Sequence, residues 1–196
     1  MTSSSNGPLE RGLDTMLVVY SLLDGHPASV PCEQFLRAHA GWFTSPLVLF
    51  EARNILTKVY GVPAADATSK IVQFASGPVA VIPLDDRMTL AALHLAGSLG
   101  LDLTDAALLN LVQSVGAEHL ATDDLLLAQA CGQLGINAAT PLDAGLRLQV
   151  VVWEDTHLVS KGLARILRRI QQWLIGTHPQ AARDFASHTG GGSHLP

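Results

Sequence analysis

Four acidic residues stand where elements of the chain begin or end, and carboxylates placed in that way can hold a hard cation. Asp14 follows a candidate first strand, and Glu51 lies on a helix that begins after Ser45-Pro46. Asp105 opens the segment Asp-Ala-Ala-Leu-Leu, and Asp124 starts a helix directly after a strand ending Ala121-Thr122. Carboxylates brought close together repel unless a cation intervenes, and oxygen donors with no His or Cys companion select Mg²⁺ or Mn²⁺. Such an ion can activate water and neutralise charge on a phosphodiester under attack. A plainer account stands beside this one. Asp at a helix start is a good N-cap, and for Asp105 and Asp124 taken singly capping is the stronger reading. Glu51 resists it, because it sits among Leu47, Phe50, Ile55 and Leu56 and an acid on an apolar helix face needs a partner.

These acids can meet only if the fold brings strand ends together, and the pattern of the chain provides for that. Short candidate strands at Leu9–Leu13, Gly41–Thr44, Val79–Ile82, Glu118–Ala121 and Ile136–Ala138 alternate with helical segments. The apolar run Met16–Leu23 closes at the turn Asp24-Gly25-His26-Pro27, and Glu33–His39 reads as a helix. Pro46–Tyr60 carries Leu47, Phe50, Ile55, Leu56 and Val59 at three- and four-residue spacing, and Ala64–Phe74 follows it. Asp85–Ser98, Thr104–Val115 (with Thr104 or Leu103 near its cap) and Asp124–Leu134 complete the helices. The β-branched run Val79–Ile82, framed by Pro78 and Pro83, reads as a buried strand, whereas Glu10, Arg11 and Gly12 make the first strand a poor one. Strands alternating with helices imply an α/β fold with a parallel sheet between helices. In such a sheet, strand C-termini and the following helix N-termini converge on one edge, where ligands bind. Three of the four carboxylates belong at that edge, with Glu51 reaching in from a neighbouring helix.

Length and composition bound the rest. The chain has 196 residues, 48% of them apolar and only 15% charged, which excludes a disordered protein and suits one domain plus an extension. Two cysteines, Cys32 and Cys131, are too few for a disulfide framework and point to the cytoplasm; the N-terminus lacks the pattern of a signal peptide. No apolar stretch approaches the ~20 residues needed to span a bilayer, so no membrane is expected. The net charge of −5 is unevenly placed: residues 1–146 carry −8 and residues 147–196 carry +3. A negative total excludes a protein that coats nucleic acid by charge alone, but not one that cuts it. The expected organisation is a polar, disordered 1–8, a main domain over 9–143, a mostly helical extension over 144–188 and a disordered tail over 189–196. Lys161–Ile175 forms an amphipathic pattern with Arg165, Arg168 and Arg169 opposite its apolar stripe. The eight histidines show no metal-ligand spacing, and no phosphate-binding glycine loop is present. Ser45 or Cys131 as a nucleophile lacks an identifiable base, Cys131 reads as core, and Trp42, Trp153 and Trp173 read as packing residues.

Leu13-Asp14-Thr15, Ser45 to Glu51 with Ala52, Leu103-Thr104-Asp105-Ala106 and Leu120-Ala121-Thr122-Asp123-Asp124 occur in that order and spacing over residues 9–143. Together they resemble a PIN domain, of which the VapC-type toxins are the best-known bacterial members. The resemblance implies a three-layer α/β/α fold with a short central parallel sheet, here with a C-terminal helical extension. It implies Mg²⁺- or Mn²⁺-dependent endoribonuclease activity leaving 5′-phosphate and 3′-hydroxyl ends; single-stranded or loop RNA is the expected substrate, because splayed bases and exposed phosphates can enter such a cleft. Carried over by position, Asp14, Glu51, Asp105 and Asp124 are the metal-binding acids. Thr122 is the hydroxyl of a Thr-x-Asp motif, orienting the last carboxylate or a water on the ion. Asp123 competes with Asp124, but Asp124 completes Thr-x-Asp; Asp102 competes with Asp105, but Asp105-Ala106 matches better. An antitoxin protein and a second copy of the chain are the partners that the resemblance implies. A second reading is a noncatalytic PIN-like module that binds a basic partner through an acidic pocket; Met16 and the weak first strand favour it.

Overall fold

The structure, a computed structural model, describes residues 8–158, 170 and 173–189. Residues 1–7 and 190–196, expected to be disordered, lie outside the described residues, as do 159–169 and 171–172 of the expected amphipathic helix. The chain divides into two compact units, Met1–Val151 and Val152–Pro196. Among the described residues no single helix is long and apolar enough to cross a membrane.

The first unit is built on five parallel strands in the order β3-β2-β1-β4-β5. They are β1 (Arg11–Leu13), β2 (Trp42–Thr44), β3 (Ala80–Val81), β4 (His119–Ala121) and β5 (Asn137–Ala139). Helices α1 (Thr15–Leu22), α2 (Ser29–Ala38), α3 (Pro46–Lys58) and α4 (Ala64–Ala75) lie on the connections from β1 through β2 to β3 and pack on one another. Helices α5 (Asp86–Leu99) and α6 (Leu103–Val115) form a pair, with α6 against β1 and β4, and α7 (Leu125–Gln133) packs on β5. Right-handed crossovers that step away from β1 in opposite directions place their helices on opposite faces of the sheet, which gives the three-layer α/β/α arrangement. They also make the boundary between β1 and β4 the point where strand order reverses, and ligands bind in the crevice at such a point.

The core explains the order of the strands better than β-propensity does. β1 is the weakest strand by composition yet lies at the centre, paired on both sides. Gly12 is the reason. A Cβ there would lie 2.6 Å from Val112 Cγ2 and 2.9 Å from Leu120 Cδ1, so its absence lets α6 pack directly onto the strand. Leu13, Phe43, Leu108, Leu111 and Leu120 are fully buried around it. Val79–Ile82, expected as a buried strand, is instead a two-residue, half-buried strand at the edge of the sheet. Its flanking prolines suit an edge, where no ladder hydrogen bond is required of them. α2 begins at Ser29, four residues before the expected Glu33, because Pro31 is accommodated in a first turn where its missing N–H costs nothing. Trp42 is buried, its indole N–H shared between the carbonyls of Leu36 and His39 at 2.9 and 3.0 Å, and Cys131 is core; Trp173, expected to pack, is 60% exposed.

After β5 comes α8 (Ala144–His157), whose Val150 joins the buried core. The described part of the second unit is helical and includes α9 (Pro179–Thr189).

Candidate active site

The carboxyl ends of β1 and β4 hold their first loop residues by continuing the ladder. The Asp14 N–H bonds the Ala121 carbonyl at 3.0 Å, and the Thr122 N–H bonds the Ala139 carbonyl at 3.0 Å. With both backbones fixed, the two side chains meet: the Thr122 hydroxyl donates to Asp14 Oδ2 at 2.7 Å. The same hydroxyl oxygen accepts the Asp124 N–H at 3.0 Å. Thr122 therefore orients the first carboxylate and the backbone of the last, not the carboxylate of the last. Asp14 also caps α1 through the Thr15 N–H, and it is 3% exposed. Burial raises its pKa to about 6; the Thr122 and Thr15 hydrogen bonds pull the other way, and the charges of Glu51 and Asp124 add to the rise.

Glu51 has the partner that its apolar helix face demanded. Its Oε2 accepts the Thr15 hydroxyl at 2.8 Å, which ties α3 to the start of α1. The Ser45 hydroxyl caps α3 at Val48 N–H, and buried Thr44 donates to the Leu13 carbonyl at 2.8 Å, so α3 is registered against β1. Thr15 was not singled out from the sequence. Only its place beside Asp14 marked it, and nothing in the spacing pointed to Glu51.

Asp102 and Asp105 divide two tasks. Asp102, rather than Thr104 or Leu103, caps α6, its Oδ1 accepting the Thr104 N–H at 2.9 Å. Asp105 stands in the first turn with no hydrogen-bond partner among the described residues. Burial raises its pKa to about 7, and the charges of Asp14, Asp124, Asp102 and Glu51 add to that in this order. Asp123 and Asp124 divide likewise. Asp124 caps α7 by accepting the Leu126 and Leu127 N–H groups, whereas Asp123 pairs with Arg147 and Thr140. The structure thus brings Asp14, Thr122, Glu51, Asp105 and Asp124 into one electrostatic neighbourhood at the β1/β4 switch point.

A PIN domain family model matches residues 13–133, more than half of the chain. The chain belongs to the PIN domain family. Solved structures agree on the fold. VapC20 of Mycobacterium tuberculosis, a Sarcin-Ricin loop cleaving toxin, superposes with a TM-score of 0.54 at 16% identity, covering 61% of this chain and 95% of that one. A toxin–antitoxin complex from Klebsiella pneumoniae gives 0.50 at 20% identity, covering 68% and 99%. VapBC2 of Rickettsia felis, bound to a DNA fragment from its promoter, gives 0.50 at 16% identity, covering 66% and 97%. No curated protein matches the chain at a significant level.

The residues of this PIN domain fit a divalent cation by their chemistry. The four acids offer hard oxygens, and among the described residues none of them forms an ion pair. Burial, and after it the charges of the neighbouring acids, raise the pKa values of Asp14 and Asp105, and a cation would offset both effects. Among the described residues no three His, Cys, Asp or Glu side chains already stand together as a ready ligand set.

Proposed function

We propose that this PIN domain is a Mg²⁺- or Mn²⁺-dependent endoribonuclease that hydrolyses single-stranded or loop RNA. The carrying observation is the buried Asp14, bonded to Thr122 across the switch point, with the charges of Glu51, Asp105 and Asp124 around it. When bound, the ion supplies a water of lowered pKa and neutralises charge that develops on the scissile phosphate. Asp14, Glu51, Asp105 and Asp124 hold it. Thr122 fixes the direction of the Asp14 carboxylate and keeps it ionised by donating to it. Thr15 fixes the direction of the Glu51 carboxylate from the other side.

The solved structures described as toxins and toxin–antitoxin complexes support a toxin role, with an antitoxin protein as partner. A homodimer and a cytoplasmic location belong to the same reading; buried, free Cys32 and Cys131 suit a reducing compartment. The test is incubation with a mixed pool of RNAs in Mn²⁺ or Mg²⁺, with a chelator control and Asp14→Asn. Cleavage lost under both chelation and substitution supports the reading. Cleavage that survives both refutes the metal mechanism. A protein that neither cuts RNA nor binds metal is instead a noncatalytic acidic module.

A further inference from the structure

The loop between β4 and α7 faces two ways. The Thr122 hydroxyl reaches Asp14 Oδ2 and the Asp124 N–H, whereas the Asp123 carboxylate meets Arg147 and Thr140. Asp123 Oδ1 accepts three donors: Arg147 Nη2 at 2.6 Å, Arg147 Nε at 3.0 Å and the Thr140 hydroxyl at 3.2 Å. The side chains of this pair are 18% and 38% exposed, and Arg147 offers two nitrogens to one carboxylate oxygen. Arg147 is itself held firmly. It lies in the first turn of α8, where Asp143 Oδ1 accepts the Leu146 N–H at 2.7 Å and the Asp143 carbonyl accepts the Arg147 N–H at 2.9 Å. Leu142, just before this turn, is buried, and its N–H bonds the Thr140 hydroxyl at 3.1 Å.

We propose that Arg147 is a positioning residue for the carboxylate site: it anchors the Asp123 carboxylate and so fixes the loop from which Thr122 bonds Asp14 and Asp124 caps α7. It also neutralises a fifth carboxylate beside four that already repel one another. The inference rests on the nuclease reading for its catalytic consequence, and on geometry alone for the clamp itself. Groups that orient metal ligands from behind typically change metal affinity or activity by about 10- to 100-fold when removed.

The test compares Arg147→Ala, Arg147→Lys and Asp123→Ala, and the double variant, in the full chain. Arg147→Ala should weaken Mn²⁺ binding in calorimetry about tenfold and lower kcat on RNA by a similar factor, with KM for RNA within twofold of the native value. It should also speed hydrogen exchange at the Leu126 and Leu127 amides that Asp124 caps. Arg147→Lys should recover part of each loss, because it restores the charge without the two-nitrogen grip. In the Asp123→Ala background, Arg147→Ala should add little. Native Mn²⁺ affinity and kcat in Arg147→Ala overturn the proposal. So does a rise in KM alone, which makes Arg147 an RNA contact, and so does a full additional loss in the double variant. If the native protein binds no Mn²⁺ and cuts no RNA, the nuclease reading falls, and unchanged amide exchange in Arg147→Ala then separately overturns the clamp.

Discussion

Thr122 donates its hydroxyl to Asp14 at 2.7 Å across a sequence separation of 108 residues, and each side chain stands on a backbone fixed by a ladder hydrogen bond. A hydrogen bond to the ionised carboxylate favours ionisation, so this contact opposes the effect of burial on Asp14. Thr122→Val should therefore push the Asp14 pKa above about 6 and move the acid limb of the pH–rate profile toward higher pH. It also leaves the Asp124 N–H without its acceptor. Thr122→Ser should keep the native limb. A pH profile of kcat/KM for the three proteins decides the matter, and coincident limbs for all three refute the assignment.

The buried Asp14 also predicts how stability depends on pH. Its folded pKa of about 6 lies above its ordinary 3.8, so the folded state disfavours the charged form. Well below pH 3.8 the group is neutral in both states and costs nothing. As pH rises from about 4 to about 6 the unfolded chain ionises first, and stability is lost. Above the folded value the loss is complete, about 3 kcal/mol at 1.36 kcal/mol per pKa unit. Asp14→Asn should remove this contribution and leave that of Asp105, so that its stability relative to native rises between pH 4 and pH 8 without divalent ions. Denaturant unfolding at several pH values measures it. A difference that stays constant with pH contradicts the placement of Asp14.

Thr15 and Glu51 form the second hydroxyl–carboxylate pair, and this one tests whether α3 contributes to the site. Thr15→Val removes the donor at 2.8 Å and frees Glu51 to swing. Mn²⁺ affinity should fall about tenfold, the lower end of the range for groups that orient a ligand. Thr15→Ser should retain it. Equal affinity in all three proteins, read by calorimetry, removes Glu51 from the ligand set.

What the sequence made legible and what it hid divide along the distance between partners. Glycine and proline punctuation and the alternation of strands with helices placed Asp14 and Asp124 at strand ends, because those signals are local. The caps were also local, yet capping was read at Asp105, Thr104 or Leu103, whereas the Thr104 N–H bonds Asp102. The Thr15–Glu51 and Arg147–Asp123 contacts span 36 and 24 residues, and no spacing rule links such pairs. The weakness of β1 misled for a related reason. Its stability comes from what α6 places against it, and propensity does not record that.

Gly12 makes that last point measurable. Ala at this position introduces a Cβ 2.6 Å from Val112 Cγ2 and 2.9 Å from Leu120 Cδ1, so either α6 retreats or the side chains leave their preferred rotamers. Overpacking of this kind costs about 1–3 kcal/mol. Because β1 carries Asp14 at its end, a retreat of α6 also moves Asp105 relative to Asp14, and Mn²⁺ affinity should fall along with stability. Val112→Ala alone leaves a cavity and is destabilising. Combined with Gly12→Ala it makes room for the new methyl group, so the two changes should be far from additive, with a coupling of about 1 kcal/mol or more in the favourable direction. Denaturant unfolding of the four proteins completes the cycle. Additive losses mean that α6 and β1 do not meet at Gly12, and the packing account of the first strand then fails.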